Sequence, residues 1–285
     1  KELFEKYSFR TWLKEIGETG NRSKPNFATQ GGDEVLKTLS QDKGDIQASP
    51  AAQNKPSSSH LSDLPRNYVC ITDKTAFQAW LQKIEQASLT CIDTETTSLD
   101  AMQAELVGIS LSVKVGEACY VPVAHRTGEE QLDRAWVLAQ LKPWLENPNA
   151  KKVGQNLKYD IHVLENYQIA MQGVTHDTLM ESYVLESHLS HGMDSLAERH
   201  LGMKTIHYED VCGKGVHQIG FDQVDLKTAT DYAAEDADIT LRLHQFLWPQ
   251  LEQEPGLRYV YEHIEMPAMR VLGIMERNGI TIDSA

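Results

Sequence analysis

Short apolar segments in the middle of the chain show the alternation of apolar and polar side chains that is typical of β-strands. Three of them follow one another from residue 89 onward, with a turn at Gly116 between the last two, and this succession predicts an antiparallel meander. The predicted strands are residues 68–71, 89–95, 106–113, 118–123 and 152–154.

Longer segments carry apolar residues at the spacing of three and four that is typical of amphipathic helices. Asn156 and Asp194 are placed to cap two of these helices, and Gly202 is placed to end one. Strands mixed with helices predict an α/β fold. The predicted helices are residues 74–87, 130–146, 157–167, 177–187, 194–200 and 226–251.

The composition changes before the first strand. Residues 1–13 carry large apolar side chains that indicate the end of another unit, namely Phe4, Tyr7, Phe9, Trp12 and Leu13. Residues 14–65 are rich in Gly, Ser, Asn, Gln, Asp and Pro, and this composition predicts a flexible linker. Since the chain does not begin with Met, we expect it to be a fragment.

The remaining composition narrows the class of protein. No apolar run approaches the ~20 residues that a membrane span needs, and the first residues do not resemble a signal peptide. The four cysteines are widely spaced without a C-x-x-C pattern, which favours reduced thiols. We therefore expect a cytoplasmic protein that has no membrane partner.

The segment 89–100 begins as an apolar strand and ends with acidic side chains. Alternation places Asp93 and Glu95 on the same face, where two carboxylates roughly 6–7 Å apart repel each other unless a cation lies between them. This pattern indicates a divalent metal site. The alternative is an Asp-x-Glu sequence in a solvated turn.

Two further acids have unusual positions. Asp236 lies in the apolar stripe of the 226–251 helix, whereas Glu235 and Asp238 do not, and a carboxylate in such a stripe needs a partner. The alternative is a buried Asp that caps a neighbouring loop. Asp160 lies in the first turn of a helix, where an acid also interacts favourably with the helix dipole.

The net charge of −14 argues against a protein that coats nucleic acid through a broad basic face. It does not exclude a nuclease, because metal-dependent nucleases gather carboxylates. Local phosphate contacts could come from five lysines, for which ordinary surface solvation is the alternative: Lys151, Lys152, Lys158, Lys204 and Lys214.

Three motifs carry a resemblance to a known family: Asp93-Thr94-Glu95-Thr96, Asn156-Leu157-Lys158-Tyr159-Asp160, and Tyr232-Ala233-Ala234-Glu235-Asp236-Ala237-Asp238. Together they resemble the DEDD exonuclease superfamily in its tyrosine-bearing branch, most closely the proofreading domain of bacterial family A DNA polymerases. The resemblance implies a ribonuclease-H-like exonuclease fold, a mixed sheet flanked by helices, over residues 66–252. Residues 1–13 resemble the end of a 5′-nuclease region, and residues 253–285 resemble the first segment of a polymerase domain.

The resemblance also implies two divalent metal ions, Mg²⁺ first, with Mn²⁺ or Zn²⁺ as alternatives. Asp93, Glu95 and Asp236 would hold one ion, and Asp93 with Asp160 would hold the other through waters. Tyr232 would orient the attacking water. The implied substrate is a single-stranded or frayed DNA 3′ end, and the product is a nucleoside 5′-monophosphate.

Substrate contacts follow from the same resemblance. Leu99 would wedge between the last bases and Tyr208 would lie against the terminal nucleotide, while core packing and a loop anchor are their alternatives. Where relatives carry an Arg, this chain has Ser190-His191-Gly192, with His191 as a candidate replacement. The other implied contacts are Thr96, Gln155, Asn156 and Tyr159.

Two alternative functions remain in view. A ribonuclease D-like RNA 3′ exonuclease would more often carry a helical RNA-binding module after the nuclease than a polymerase-like segment. A non-catalytic spacer domain of a polymerase would be expected to have lost carboxylates, and all four are present here. Both alternatives are therefore less favoured than a DNA exonuclease, and polymerase activity is not expected in this chain.

Overall fold

The computed structural model describes residues 66–281. The predictions for residues 1–13 and 14–65, and for the last four residues of the polymerase-like segment, lie outside the described residues. The six strands form one sheet in the order β1-β4-β3-β2-β5-β6. They are β1 (Asn67–Cys70), β2 (Thr90–Thr96), β3 (Leu106–Lys114), β4 (Glu117–Pro122), β5 (Lys152–Gly154) and β6 (Val174–Asp177).

The sheet is mixed, as predicted. β2, β3 and β4 pair antiparallel and form the predicted meander, while β1 pairs parallel with β4, and β5 pairs parallel with both β2 and β6. Gly116 has φ of 81° in the turn between β3 and β4, a left-handed conformation that favours glycine. β6 was not predicted, because its four residues carry only one apolar side chain.

Helices flank the sheet, and none of those in the described part of the chain is both long and apolar enough to cross a membrane. The fifth helix continues as a π-helix over Ala197–Leu201, and a second π-helical segment, Tyr261–Glu265, joins the last two helices. The α-helices are α1 (Lys74–Gln86), α2 (Arg134–Leu145), α3 (Leu157–Glu165), α4 (Thr178–Glu186), α5 (Met193–Leu196), α6 (Tyr208–Cys212), α7 (Leu226–Gln253), α8 (Pro255–Val260) and α9 (Met266–Asn278).

Several helix N-termini differ from the prediction in their first residue or in their cap. α2 begins at Arg134 rather than at residue 130, because the Asp133 carboxylate caps it by accepting from the backbone N–H of Trp136 at 2.8 Å. The side chain of Asn156 does not cap α3, since the residue has a φ of 62°. Asp194 does not cap α5, whose capping position is Gly192.

α7 packs across β1 to β5 and places its middle against the acidic end of β2. On this face, Cys91 contacts Ala237 and Leu241, while Ile92 points into the larger core on the opposite face. The alternation predicted for β2 is therefore correct. Because α7 is enclosed on most sides, Glu235 and Asp238 are also buried, although they lie outside its apolar stripe.

Candidate active site

A cleft of about 840 Å³ opens at the end of β2. Its walls come from β2 and the loop after it, from the start of α3, from α6 and from the middle of α7. The catalytic, metal-binding and base-contacting residues that the resemblance implies all line this cleft. They are Asp93, Glu95, Thr96, Leu99, Gln155, Asn156, Tyr159, Asp160, Tyr208, Tyr232 and Asp236.

Three carboxylates converge at one point of the cleft. Asp93 and Glu95 project from the same face of β2, and Asp236 projects from α7, with one oxygen of each within 4.8 Å of the others. Because Asp93 and Glu95 lie in a strand and Glu95 is buried, the solvated-turn alternative is wrong.

These carboxylates lack cationic partners. Among the described residues, no Lys, Arg or His forms an ion pair with any of the three. Glu95 Oε1 and Asp236 Oδ1 are buried without a hydrogen-bond partner, so the alternative that Asp236 caps a loop has no support. Buried carboxylates normally have partners, and an all-oxygen set of this kind fits a hard divalent cation.

The pKa values of these acids show the cost of their position. Burial raises the pKa of Asp93 to about 7. Burial, and next the negative charge of Asp93, hold the pKa values of Glu95 and Asp236 well above their usual range. A divalent cation would reverse both effects by neutralising the charges.

Asp160 lines the same cleft as the other acids, from the start of α3. It is buried in the first turn of α3, and its Oδ1 accepts from the Thr94 backbone N–H at 2.9 Å and from the Thr94 hydroxyl at 2.6 Å. Burial, followed by the charge of Asp93, raises its pKa well above the usual range. The charge of Asp93 therefore acts on Asp160, although Asp160 is not one of the three carboxylates that converge within 4.8 Å.

Tyr232 lies one turn before Asp236 on α7, and its hydroxyl interacts with the Asp236 carboxylate. Burial, and next the charges of Asp236 and Glu95, raise the pKa of Tyr232 far above its usual value, so its hydroxyl stays protonated. The ring packs against Phe221 and Tyr208, with centroids 5.7 and 6.4 Å away. Sequence reasoning missed Phe221, because it is a single aromatic residue in a short irregular segment.

The rim of the cleft carries exposed apolar groups. Leu99 is 98% exposed, so the alternative that it belongs to the core is wrong. The hydroxyl of Tyr159 bonds with the Thr96 hydroxyl and with the Ser98 carbonyl, which fixes the loop that presents Leu99. Tyr208 is 39% exposed and lines the cleft opposite this loop.

The segment that departs from the family pattern, Ser190-His191-Gly192, is not among the residues that line the cleft. His191 Nδ1 lies 3.0 Å from the Ser182 hydroxyl, and its ring packs edge-on against Tyr183. The His191 carbonyl accepts from Gln155 Nε2 at 2.8 Å, so Gln155 already has a partner. His191 therefore supports the position of Gln155, and its role as a phosphate contact stays a prediction.

The five candidate lysines do not line the cleft. Lys152 is buried, donates to the Ala150 carbonyl at 2.7 Å and lies over the Trp144 ring, so its interpretation as a phosphate contact is wrong. Lys158 pairs with Glu276, and Lys214 pairs with Glu209.

Sequence comparison adds independent information. The sequence model of the 3′-5′ exonuclease family matches residues 68–252. The DNA polymerase I of Pseudomonas aeruginosa is 54% identical over 223 residues, which cover 76% of this chain and 24% of that protein. The DNA polymerase I of Rhizobium leguminosarum is 42% identical over 258 residues, or 82% of this chain and 25% of that protein. The chain thus spans about a quarter of the length of these relatives.

Solved structures share the fold at low sequence identity. The POL domain of Pol1 from M. smegmatis, in complex with DNA primer-template and dNTP, has a TM-score of 0.60 at 21% identity and covers 75% of this chain and 33% of its own. Escherichia coli RNase D has a TM-score of 0.55 at 17% identity, and the match covers 75% of this chain and 52% of the RNase D chain. These likenesses confirm the predicted ribonuclease-H-like fold, and the sequence matches confirm the resemblance drawn from the three motifs.

Proposed function

Because the chain belongs to the 3′-5′ exonuclease family, we propose that its cleft removes nucleotides one at a time from the 3′ end of single-stranded or frayed DNA. The observation that carries this proposal is the convergence of Asp93, Glu95 and Asp236, two of which keep a buried oxygen without a partner. Such a site suits divalent cations and the phosphodiester that they polarise.

The proposed chemistry is hydrolysis with the carboxylates as metal ligands. Asp93, Glu95 and Asp236 would hold one divalent ion, and Asp93 with Asp160 would hold a second. When bound, such ions lower the pKa of the attacking water and neutralise charge that develops on the phosphate. Mg²⁺ fits the oxygen donors, with Mn²⁺ or Zn²⁺ as alternatives.

The remaining cleft residues position the reactants. The Tyr232 hydroxyl, which stays protonated beside Asp236, can bond to the attacking water and fix its direction. Exposed Leu99 and half-exposed Tyr208 offer apolar surfaces on which terminal bases can stack. A terminus that has no partner strand reaches these surfaces without the loss of base stacking, which is ~1.4 kcal/mol per step in a duplex.

The longer protein is proposed from its similarity to DNA polymerase I, with this domain proofreading during replication and repair. We assign residues 66–252 to the exonuclease and residues 253–285 to the first segment of a polymerase domain. We place the protein in the cytoplasm at the nucleoid, as a monomer. The ribonuclease D alternative has only the fold in its favour, at 17% identity.

The test uses 5′-end-labelled single-stranded DNA and RNA of the same sequence, with Mg²⁺ or with EDTA. We expect a one-nucleotide ladder from DNA that requires Mg²⁺, and no primer extension on a template. Asp236→Asn should abolish the ladder, whereas Asp231→Asn, an exposed acid on the same helix paired with Lys227, should retain it.

Preferential degradation of RNA would favour the ribonuclease D alternative. An inactive but folded chain that is unaffected by Mg²⁺ would favour the spacer alternative. Internal cuts, or activity that survives in Asp236→Asn, would contradict the proposed site.

A further inference from the structure

A second cluster of metal-ligating side chains lies outside the cleft. It consists of His176 in β6, Glu181 in α4 and His244 in α7, and one ligand atom of each lies within 4.8 Å of the others. His244 follows Asp236 by eight residues, or about 12 Å along the helix. The cluster and the cleft therefore occupy different parts of the same helix.

The geometry of this cluster is compact. His176 Nδ1 and His244 Nδ1 lie 3.0 and 2.8 Å from the same oxygen, Glu181 Oε1. The two imidazole rings have centroids 4.2 Å apart. Ligand atoms from three different elements thus meet at Glu181 Oε1.

One polar atom of the cluster also lacks a hydrogen-bond partner. Glu181 has no exposed surface, and its second oxygen, Oε2, is buried without a hydrogen-bond partner. No Lys or Arg forms an ion pair with Glu181 within residues 66–281. A carboxylate in this position gains most from a ligand that carries positive charge and binds oxygen.

We propose that His176, Glu181 and His244 form a transition-metal site, with Zn²⁺ as the ion that fits it. Two imidazole nitrogens and one carboxylate are a common zinc donor set, whereas Mg²⁺ prefers oxygen ligands. Zinc bonds of about 2.0–2.2 Å in a tetrahedral site place ligand atoms roughly 3.3 Å apart. The two nitrogen–oxygen spacings of 3.0 and 2.8 Å need to lengthen by only a few tenths of an ångström.

The site has an access route through His176. The His176 side chain is 16% exposed and lines a cleft of about 730 Å³ together with Thr175, Trp248 and Tyr261. A water in this cleft can supply the fourth ligand. Bound zinc would link β6, α4 and α7, so its expected role is to stabilise the packing of these elements.

The experiment measures zinc in the absence of DNA. The carboxylate cleft is first disabled by Asp93→Asn and Asp236→Asn, so that it no longer competes for metal. After dialysis against micromolar Zn²⁺, this protein should retain one equivalent and melt several degrees higher than after EDTA treatment. Co²⁺ in place of Zn²⁺ should give visible absorption typical of nitrogen ligation.

Variants of the cluster decide the assignment. His244→Gln and the more exposed His176→Gln should each lose the retained zinc and the Co²⁺ spectrum, while circular dichroism confirms that they fold. His162→Gln removes a buried histidine that pairs with Glu276 and should retain both. Zinc binding that is absent, or equal in all three variants, would overturn the proposal. Because no nuclease activity is measured, failure of the exonuclease proposal would not change this outcome.

Discussion

At the scale of single residues, the sequence pattern predicts burial least well for charged side chains. Strand alternation and helix periodicity correctly placed Asp93, Glu95 and Asp236 on facing surfaces. The burial of Asp238 could not be predicted, because it depends on partners distant in sequence, such as Tyr68 and the Gly116 N–H. Periodicity reports the apolar side of a helix, and it does not report a polar side that is enclosed by other elements.

Tyr232 offers the sharpest test of a single side chain. Tyr232→Phe keeps the ring that packs on Phe221 and removes the hydroxyl beside Asp236. We expect turnover to fall by about ten- to a thousandfold, with fold and metal affinity unchanged. Single-turnover kinetics on labelled DNA would measure this. Tyr208→Phe, which keeps the stacking surface, should stay near full activity; equal activity in both variants would reduce Tyr232 to packing.

Lys152 gives a prediction in the alkaline range. Burial lowers the pKa of Lys152 to about 8, against about 10.4 for an unfolded chain. Between these values the folded chain has lost a proton that the unfolded chain still binds, so the free energy of unfolding rises with pH. Below pH 8 Lys152 is protonated in both the folded and the unfolded chain, so its buried charge lowers the free energy of unfolding by an amount that does not change with pH.

Lys152→Met should remove this dependence. Urea unfolding from pH 7.5 to 10 should show the unchanged chain gaining stability relative to the variant as the pH rises. A parallel pair of curves would mean that Lys152 keeps its ordinary pKa despite its contacts with Ala150 and Trp144.

Whether a segment forms a strand or a helix was easier to predict from the sequence than the residues at which it begins and ends. Every strand and helix predicted within residues 66–281 is present, because each has an apolar pattern, but several ends are set by contacts that are remote in sequence. Asp177 is the clearest case. Its carboxylate caps its own helix α4 by accepting from Leu179 N–H, and also binds the N–H groups of Asn156 and Leu157 at the start of α3.

Asp177→Ala should therefore weaken two helices. The loss of a double cap whose N–H donors are largely buried should cost roughly 2–4 kcal/mol of unfolding free energy. Asp73→Ala removes the exposed cap of α1 alone and should cost about 1 kcal/mol. Urea unfolding compares the two variants. Equal losses would show that α3 finds another partner for its first N–H groups.

Within residues 66–281, charged side chains hold the last helix, α9, against the helix that carries Asp160. Lys158 and His162 of α3, the helix that carries Asp160, both pair with Glu276 of α9. Arg277 of the same helix bonds to Asn166 just after α3. Helix α9 is thus packed against α3, a relationship that the sequence could not predict because charged surface residues carry no apolar pattern.

Stability of the whole molecule should depend on metal and pH together. The pKa of Asp93 near 7 exceeds the unfolded value of about 4, so the folded metal-free chain binds more protons in this range and loses stability as the pH rises. Mg²⁺ should raise the melting temperature, most strongly above pH 7. Calorimetry with Mg²⁺ or EDTA at pH 5 and 8 measures the shift. A chain with Asp93→Asn and Asp236→Asn should show almost none.

The three convergent acids also determine when the enzyme can first act. Asp93 and Glu95 are synthesised more than 140 residues before Asp236. At ~5–20 residues per second, a ribosome covers that interval in roughly 7–30 s. During this time the nascent chain holds only part of its ligand set. At the proposed site, nuclease activity can begin only after α7 has left the ribosome and packed on the sheet.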